Sequence, residues 1–149
     1  MGGPSLSPGY NECLKKGKIV VFTRGRALAP KELDSAAFDL KRAQVTYQEG
    51  DYKWATIQLY YSMFHTARSL LYSRNLRERS HYCLAEAINH LFIRTRLIPS
   101  DLSDSFREAR NLREEADYYS RWSKSGCERL LRSAEEFLNK AMEIVIPAL

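Results

Sequence analysis

The chain lacks any run of 18 or more apolar residues, so no membrane-spanning helix is expected. Its N-terminal stretch, "MGGPSLSPGYNECLKKGK", lacks the apolar segment of a secretory signal. Cysteine is scarce: Cys13, Cys83 and Cys127 form an odd, widely spaced set with no CxxC pair. That set favours reduced thiols in the cytoplasm over a disulfide framework. A phosphate-cradling glycine loop is absent, and no cofactor is expected. Cys83, Glu86 and His90 share a helix face, but no HExxH pattern or second ligand cluster accompanies them, so no metal is expected. A Cys–His nucleophilic pair likewise lacks an identifiable orienting partner. No repeat, linker or low-complexity segment divides the 149 residues, a length that suits one domain.

What is present is charge, unevenly spread. The formal net charge is +5. Residues 1–30 hold Lys15, Lys16, Lys18, Arg24 and Arg26 against Glu12, so most of the excess lies there, and the remainder is nearly balanced. Within that remainder, Arg68 to Arg96 is again basic, with six arginines against Glu78 and Glu86. Such a surface suits phosphate or nucleic acid. A solvated face with intermittent ion pairs is the plainer explanation.

Residues 1–29 read as an N-terminal arm, punctuated by Gly2, Gly3, Pro4, Pro8 and Gly9, in which "ECLKKGK" forms a helical turn or two and "IVVF" is too short to classify. From Pro30 onward the spacing is helical, and residues 30–149 read as a bundle. Leu33, Ala36, Ala37, Leu40, Ala43 and Tyr47 define a first helix that Gly50 closes. Asp51 caps a second, running to about Ser73, whose apolar positions surround much of the cylinder and make it central. "SRNLRERS" reads as a loop. Ser80 caps a third helix, with Leu84, Ala87, Ile88, Leu91 and Phe92 as its buried stripe, and Pro99 and Ser100 begin a fourth. Ser125 and Glu128 make a capping-box pattern for a fifth, which stops at Pro147. Short connections between amphipathic helices imply an all-α, antiparallel up-and-down bundle of four to five helices.

Two constellations carry chemistry. On the central helix, Tyr61, His65, Arg68 and Tyr72 are spaced to share one face. Arg68 needs an acidic partner there, and Asp117 is the expected one. On the fourth helix Arg113 and Asp117 share a face, followed at once by Tyr118 and Tyr119. An i,i+4 ion pair explains this in part. The sharper reading is a phosphate-binding cluster with a tyrosine for stacking or proton transfer.

The stretches "YYSMFHTAR", "SHYCL" and "REEADYY" together resemble the HEPN family (higher eukaryotes and prokaryotes nucleotide-binding domains), in its small stand-alone prokaryotic branch. The likeness spans most of residues 12–146. It implies a helical bundle, a homodimer and, beside it, a minimal nucleotidyltransferase in a toxin–antitoxin-type pair. Catalytic members are metal-independent ribonucleases with an arginine, four to six residues, then a histidine. Arg113 matches that arginine, but Tyr118 stands where the histidine would be. Arg77 and His81 are too close together, and Arg74 to His81 has the right count at a different helix junction. Histidine exchanges protons near neutral pH, whereas a tyrosine side chain, ordinarily near pKa 10, does so rarely.

The sequence therefore reads as a nucleotide- or RNA-binding module in the cytoplasm, with no membrane partner. Its cleft is expected from Arg113, Asp117 and Tyr118, with Tyr61, His65 and Arg68 beside them. The enzymatic alternative is an endoribonuclease using Arg113 for phosphate and Tyr118 or His81 for proton transfer. A purely structural interaction protein is the third reading, since every polar group named has an ion-pair explanation.

Overall fold

A computed structural model describes residues 7–149; Gly2, Gly3 and Pro4 of the arm lie outside the described residues. The described part holds six α-helices and one two-stranded antiparallel sheet. The elements run α1 (Pro8–Lys15), β1 (Ile19–Val21), α2 (Gly25–Gln48), α3 (Tyr52–Ser73), β2 (Leu76–Glu78), α4 (His81–Ile88), α5 (Ser100–Tyr118) and α6 (Lys124–Ala148). A π-helical turn, Asn89–Ile93, extends α4, and Arg94 N–H closes it on the Asn89 carbonyl at 2.9 Å. The chain is an all-α bundle, as its periodicity implied. None of the described helices is long and apolar enough to cross a membrane.

The central helix is α3, which packs against α2, α4, α5 and α6. Its buried residues alternate large apolar side chains (Leu59, Met63, Leu70, Leu71) with small ones (Ala55, Ser62, Thr66, Ala67, Ser69). The small residues let neighbouring backbones approach, and their hydroxyls are satisfied locally. Thr66 and Ser69 donate to carbonyls of α3 itself, while Ser62 donates across to Ala36 of α2 at 2.8 Å. Burying these hydroxyls therefore incurs little desolvation cost.

Several helix ends follow the expected chemistry. The Asp51 side chain accepts from Trp54 N–H, and Ser80 accepts from Cys83 N–H. Gly50 adopts φ +82° between α2 and α3, a left-handed turn that favours glycine.

Other boundaries differ from expectation. Helix α2 begins at Gly25, with Pro30 inside its first two turns; Asn75 supplies the acceptor for Arg26 N–H at 3.0 Å, a contact 49 residues away. The cap of α6 is Ser123, accepting from Gly126 N–H, and not Ser125. That helix runs through Pro147 to Ala148; proline there has no N–H to donate to the Glu143 carbonyl, so one bond is forgone at the very end of the helix. "IVVF" and the expected loop "SRNLRERS" supply β1 and β2, with Ile19 opposite Glu78 and Val21 opposite Leu76. Three-residue strands carry too little periodicity to be read alone; each exists because the other pairs with it.

The arm is docked on the bundle. Tyr10 of α1 stacks on His90, with ring centroids 4.4 Å apart. Cys13 and Cys83 form a disulfide, their Cα atoms 5.7 Å apart, while Cys127 is buried and free. This corrects the expectation of three reduced thiols. Spacing along the chain carried no sign of the pair, because the fold closes a 70-residue separation to place α1 against α4.

Candidate functional site

Helices α3 and α5 face each other around Arg113. Its Nη2 donates to the Tyr61 hydroxyl at 3.1 Å and lies 3.3 Å from Asp117 Oδ2. The guanidinium also sits over three rings, its centre 5.6 Å from Tyr60, 5.6 Å from Tyr61 and 5.5 Å from Tyr118. Burial acts to lower the Arg113 pKa, but the surrounding Tyr61, Tyr118 and Asp117 outweigh it and the net shift is upward. The cation is thus fixed in place. Among the described residues Asp117 is the one carboxylate paired with it, and its Nε is buried without a hydrogen-bond partner. Tyr118 is 68% exposed, so one wall of this frame is open to a ligand.

Tyr60 behind the site is buried. Burial pushes its hydroxyl up to about 12, against the opposing pull of Arg113 and Arg110, so it stays a neutral ring. The other wall of the aromatic frame leads to His81 at the start of α4. Its ring stacks on Tyr60 and Phe64, at 5.4 and 5.8 Å between centroids, and packs on Phe106 at 5.4 Å. Both ring nitrogens are buried with no hydrogen-bond partner among the described residues. Burial, then Arg110 and Arg113, lower its pKa to about 4. Such an imidazole is neutral at pH 7 and a weak base, which disfavours His81 in proton transfer. An open cavity of about 430 Å³ lies beside it, with Glu86, Arg107 and Arg110 among its lining residues.

The structure brings Arg113, Asp117, Tyr118 and Tyr61 together and engages the other half of the expected cleft elsewhere. His65 Nδ1 lies 2.6 Å from Glu32 Oε2, and its Nε2 3.8 Å from Asp39, both on α2. Burial raises the Asp39 pKa, with His65 acting against it. Arg68 pairs with Glu78 at 2.7 Å and Glu32 at 3.8 Å. The expected Arg68–Asp117 pair is therefore wrong: Asp117 belongs to Arg113, one helical turn away on its own helix, and Arg68 turns toward α2 and β2. Tyr72, last of the stripe, is buried and edge-on to Phe22. Helical spacing showed that these residues share a face but not which neighbouring helix divides it.

Sequence reasoning missed Tyr60 as the inner wall, and it missed Lys53, whose Nζ lies over both Trp54 and Trp122 at 5.4 and 5.9 Å. The seven-residue interval between Trp54 and Tyr61 was a usable signal for the first tryptophan. Glu32 and Glu78, the acids that take His65 and Arg68, had no local signal at all. Among the described residues no three His, Cys, Asp or Glu side chains are grouped to hold a metal ion.

Comparison with known proteins adds relatives to this geometry. Two proteins of Methanocaldococcus jannaschii, each named as a putative toxin, are similar to the chain. One is 29% identical, over 78% of this chain and 80% of its own length; the other is 25% identical, over 72% and 81%. A family model described as HEPN domain matches residues 30–145, α2 through most of α6. The bundle that carries the Arg113 frame is that matched segment, and the chain belongs to the HEPN family.

Proposed function

We propose that this chain is a nucleotide- or RNA-binding HEPN module of toxin type. In this reading it acts as a homodimer beside a minimal nucleotidyltransferase. The observation that carries the binding role is Arg113: a cation held by Tyr60, Tyr61 and Tyr118, with Asp117 beside it and one open side. A guanidinium fixed in this way can meet a phosphate without first losing its side-chain freedom. Tyr118 at the rim offers a ring for a base. The toxin character is supported by the two archaeal relatives whose names carry that word.

Binding is favoured over cleavage because the position of the family histidine holds Tyr118, and the nearby His81 is neutral with both ring nitrogens buried. The test is RNA binding across a salt series. Affinity falls steeply with salt through counterion release, and Arg113→Ala weakens binding to all sequences alike, because a phosphate contact carries no base information. Tyr118→Phe retains binding, and neither protein cleaves RNA in EDTA. Cleavage in EDTA by rigorously purified wild type, lost in Arg113→Ala, would overturn the binding-only reading. Light scattering checks the dimer: a monomer mass at micromolar concentration removes it.

A further inference from the structure

The start of α3 and the end of α5 share a surface whose composition is unusual. Trp54 and Tyr61, two helical turns apart on α3, are 49% and 39% exposed. Tyr118, Tyr119 and Trp122, at the end of α5 and just beyond it, are 68%, 67% and 48% exposed. On these segments every large apolar side chain left exposed is aromatic; none is Leu, Ile, Val or Met.

Cations lie between the rings. Lys53 reaches the indoles of both Trp54 and Trp122, joining α3 to the α5–α6 connection, and Arg113 spans Tyr61 and Tyr118. Gln58 lies between Trp54 and Tyr61 in sequence, four residues after one and three before the other. Its side-chain oxygen has no hydrogen-bond partner among the described residues, as with Arg113 Nε.

We propose that Trp54 and Trp122, with Lys53 between them, form a stacking platform for the unpaired bases of single-stranded RNA, continuing the path that begins at Arg113. The inference rests on the RNA-binding reading and specifies its substrate as unpaired strand. Alternating π-faces and cations match a single strand, in which every nucleotide offers a flat base and an anionic phosphate. A duplex hides its bases in its own stack and leaves the indoles nothing to cover. A second copy of the chain fits less well. A self-association face gains most from continuous apolar area, and two-fold pairing here would turn Lys53 and Arg113 toward their own copies.

The chain contains two tryptophans, so its indole fluorescence reports this surface alone. The full-length protein is titrated with a short single-stranded RNA of mixed sequence and with a hairpin duplex of the same composition. The single strand quenches the fluorescence and binds more tightly than the duplex. Trp54→Ala and Trp122→Ala each weaken single-strand binding roughly tenfold, the loss of one stacked base, while Trp54→Phe retains most of it. Trp122 lies outside the helices, so its variant keeps the test valid should Trp54→Ala perturb the fold, which circular dichroism reads. RNA binding without quenching and with unchanged affinity in both alanine variants overturns the platform and leaves the RNA-binding reading standing. Absence of RNA binding in the wild type removes both. A concentration-dependent fluorescence change without RNA, lost together with the dimer mass in Trp54→Ala or Trp122→Ala, assigns the surface to a second copy and overturns the proposal.

Discussion

Arg68 holds Glu78 through two nitrogens: Nη2 donates to Oε2 at 2.7 Å, and Nε lies 3.4 and 3.3 Å from Oε1 and Oε2. Glu78 is 6% exposed at the end of β2, so its carboxylate depends on that guanidinium. Burial acts to lower the Arg68 pKa, but the Glu78 hydrogen bonds and charge outweigh it and the net shift is upward. The pair joins the central helix to the strand that receives β1.

Removing one partner strands a charge in the interior. Arg68→Met is expected to cost about 3 kcal/mol, the low end for a broken buried pair, because Arg68 itself is partly exposed. Glu78→Gln costs less, since Gln can still accept a hydrogen bond from Arg68. The double variant costs less than the sum, and a denaturation double-mutant cycle measures the coupling. Strict additivity would show that the contact is not formed in solution.

His81 makes stability depend on pH in a definite direction. In the unfolded chain a histidine titrates near 6.5, whereas in the fold burial brings His81 down to about 4. Below pH 6.5 the unfolded chain takes up a proton that the folded chain refuses, so stability falls. The loss continues to about pH 4, where the folded form also protonates. His81→Phe keeps ring contacts with Tyr60, Phe64 and Phe106 and cannot titrate. Urea denaturation at a series of pH values should show wild type losing stability relative to this variant between those limits. Parallel curves would mean that the ring is solvated.

The Cys13–Cys83 bond links α1 to α4 across 70 residues of chain. Its reduction, or Cys13→Ser, is expected to lower stability by about 2–4 kcal/mol. Hydrogen exchange in Pro8–Lys15 should accelerate more than exchange in α3. Peptide mapping without reductant should recover Cys13 joined to Cys83 and Cys127 unmodified. Free thiol at all three positions in the purified protein would contradict the pairing.

The bundle was legible because amphipathic helices advertise themselves locally. Leu33, Ala36, Leu40 and Ala43 recur at the helical period, and Asp51 and Ser80 cap the helices that follow them. The all-round apolar character of residues 52–73 marked α3 as central for the same reason: a cylinder with few polar positions needs neighbours on every side. Arg113 and Asp117, one turn apart, were readable as a pair because a single helix sets their distance.

What the sequence by itself determined is everything that one helix or one turn encodes: periods, caps and the pairing of residues three or four apart. Only the tertiary structure decided which elements meet. It paired β1 with β2, joined Cys13 to Cys83, gave Arg68 to Glu78 instead of Asp117, and closed Tyr60, Tyr61 and Tyr118 around one guanidinium. Local geometry repeats every few residues and leaves its mark on neighbouring letters. A contact between distant segments depends on how whole helices are rotated and stacked, and the energy that selects that stacking is shared across the core rather than carried by the two residues that touch.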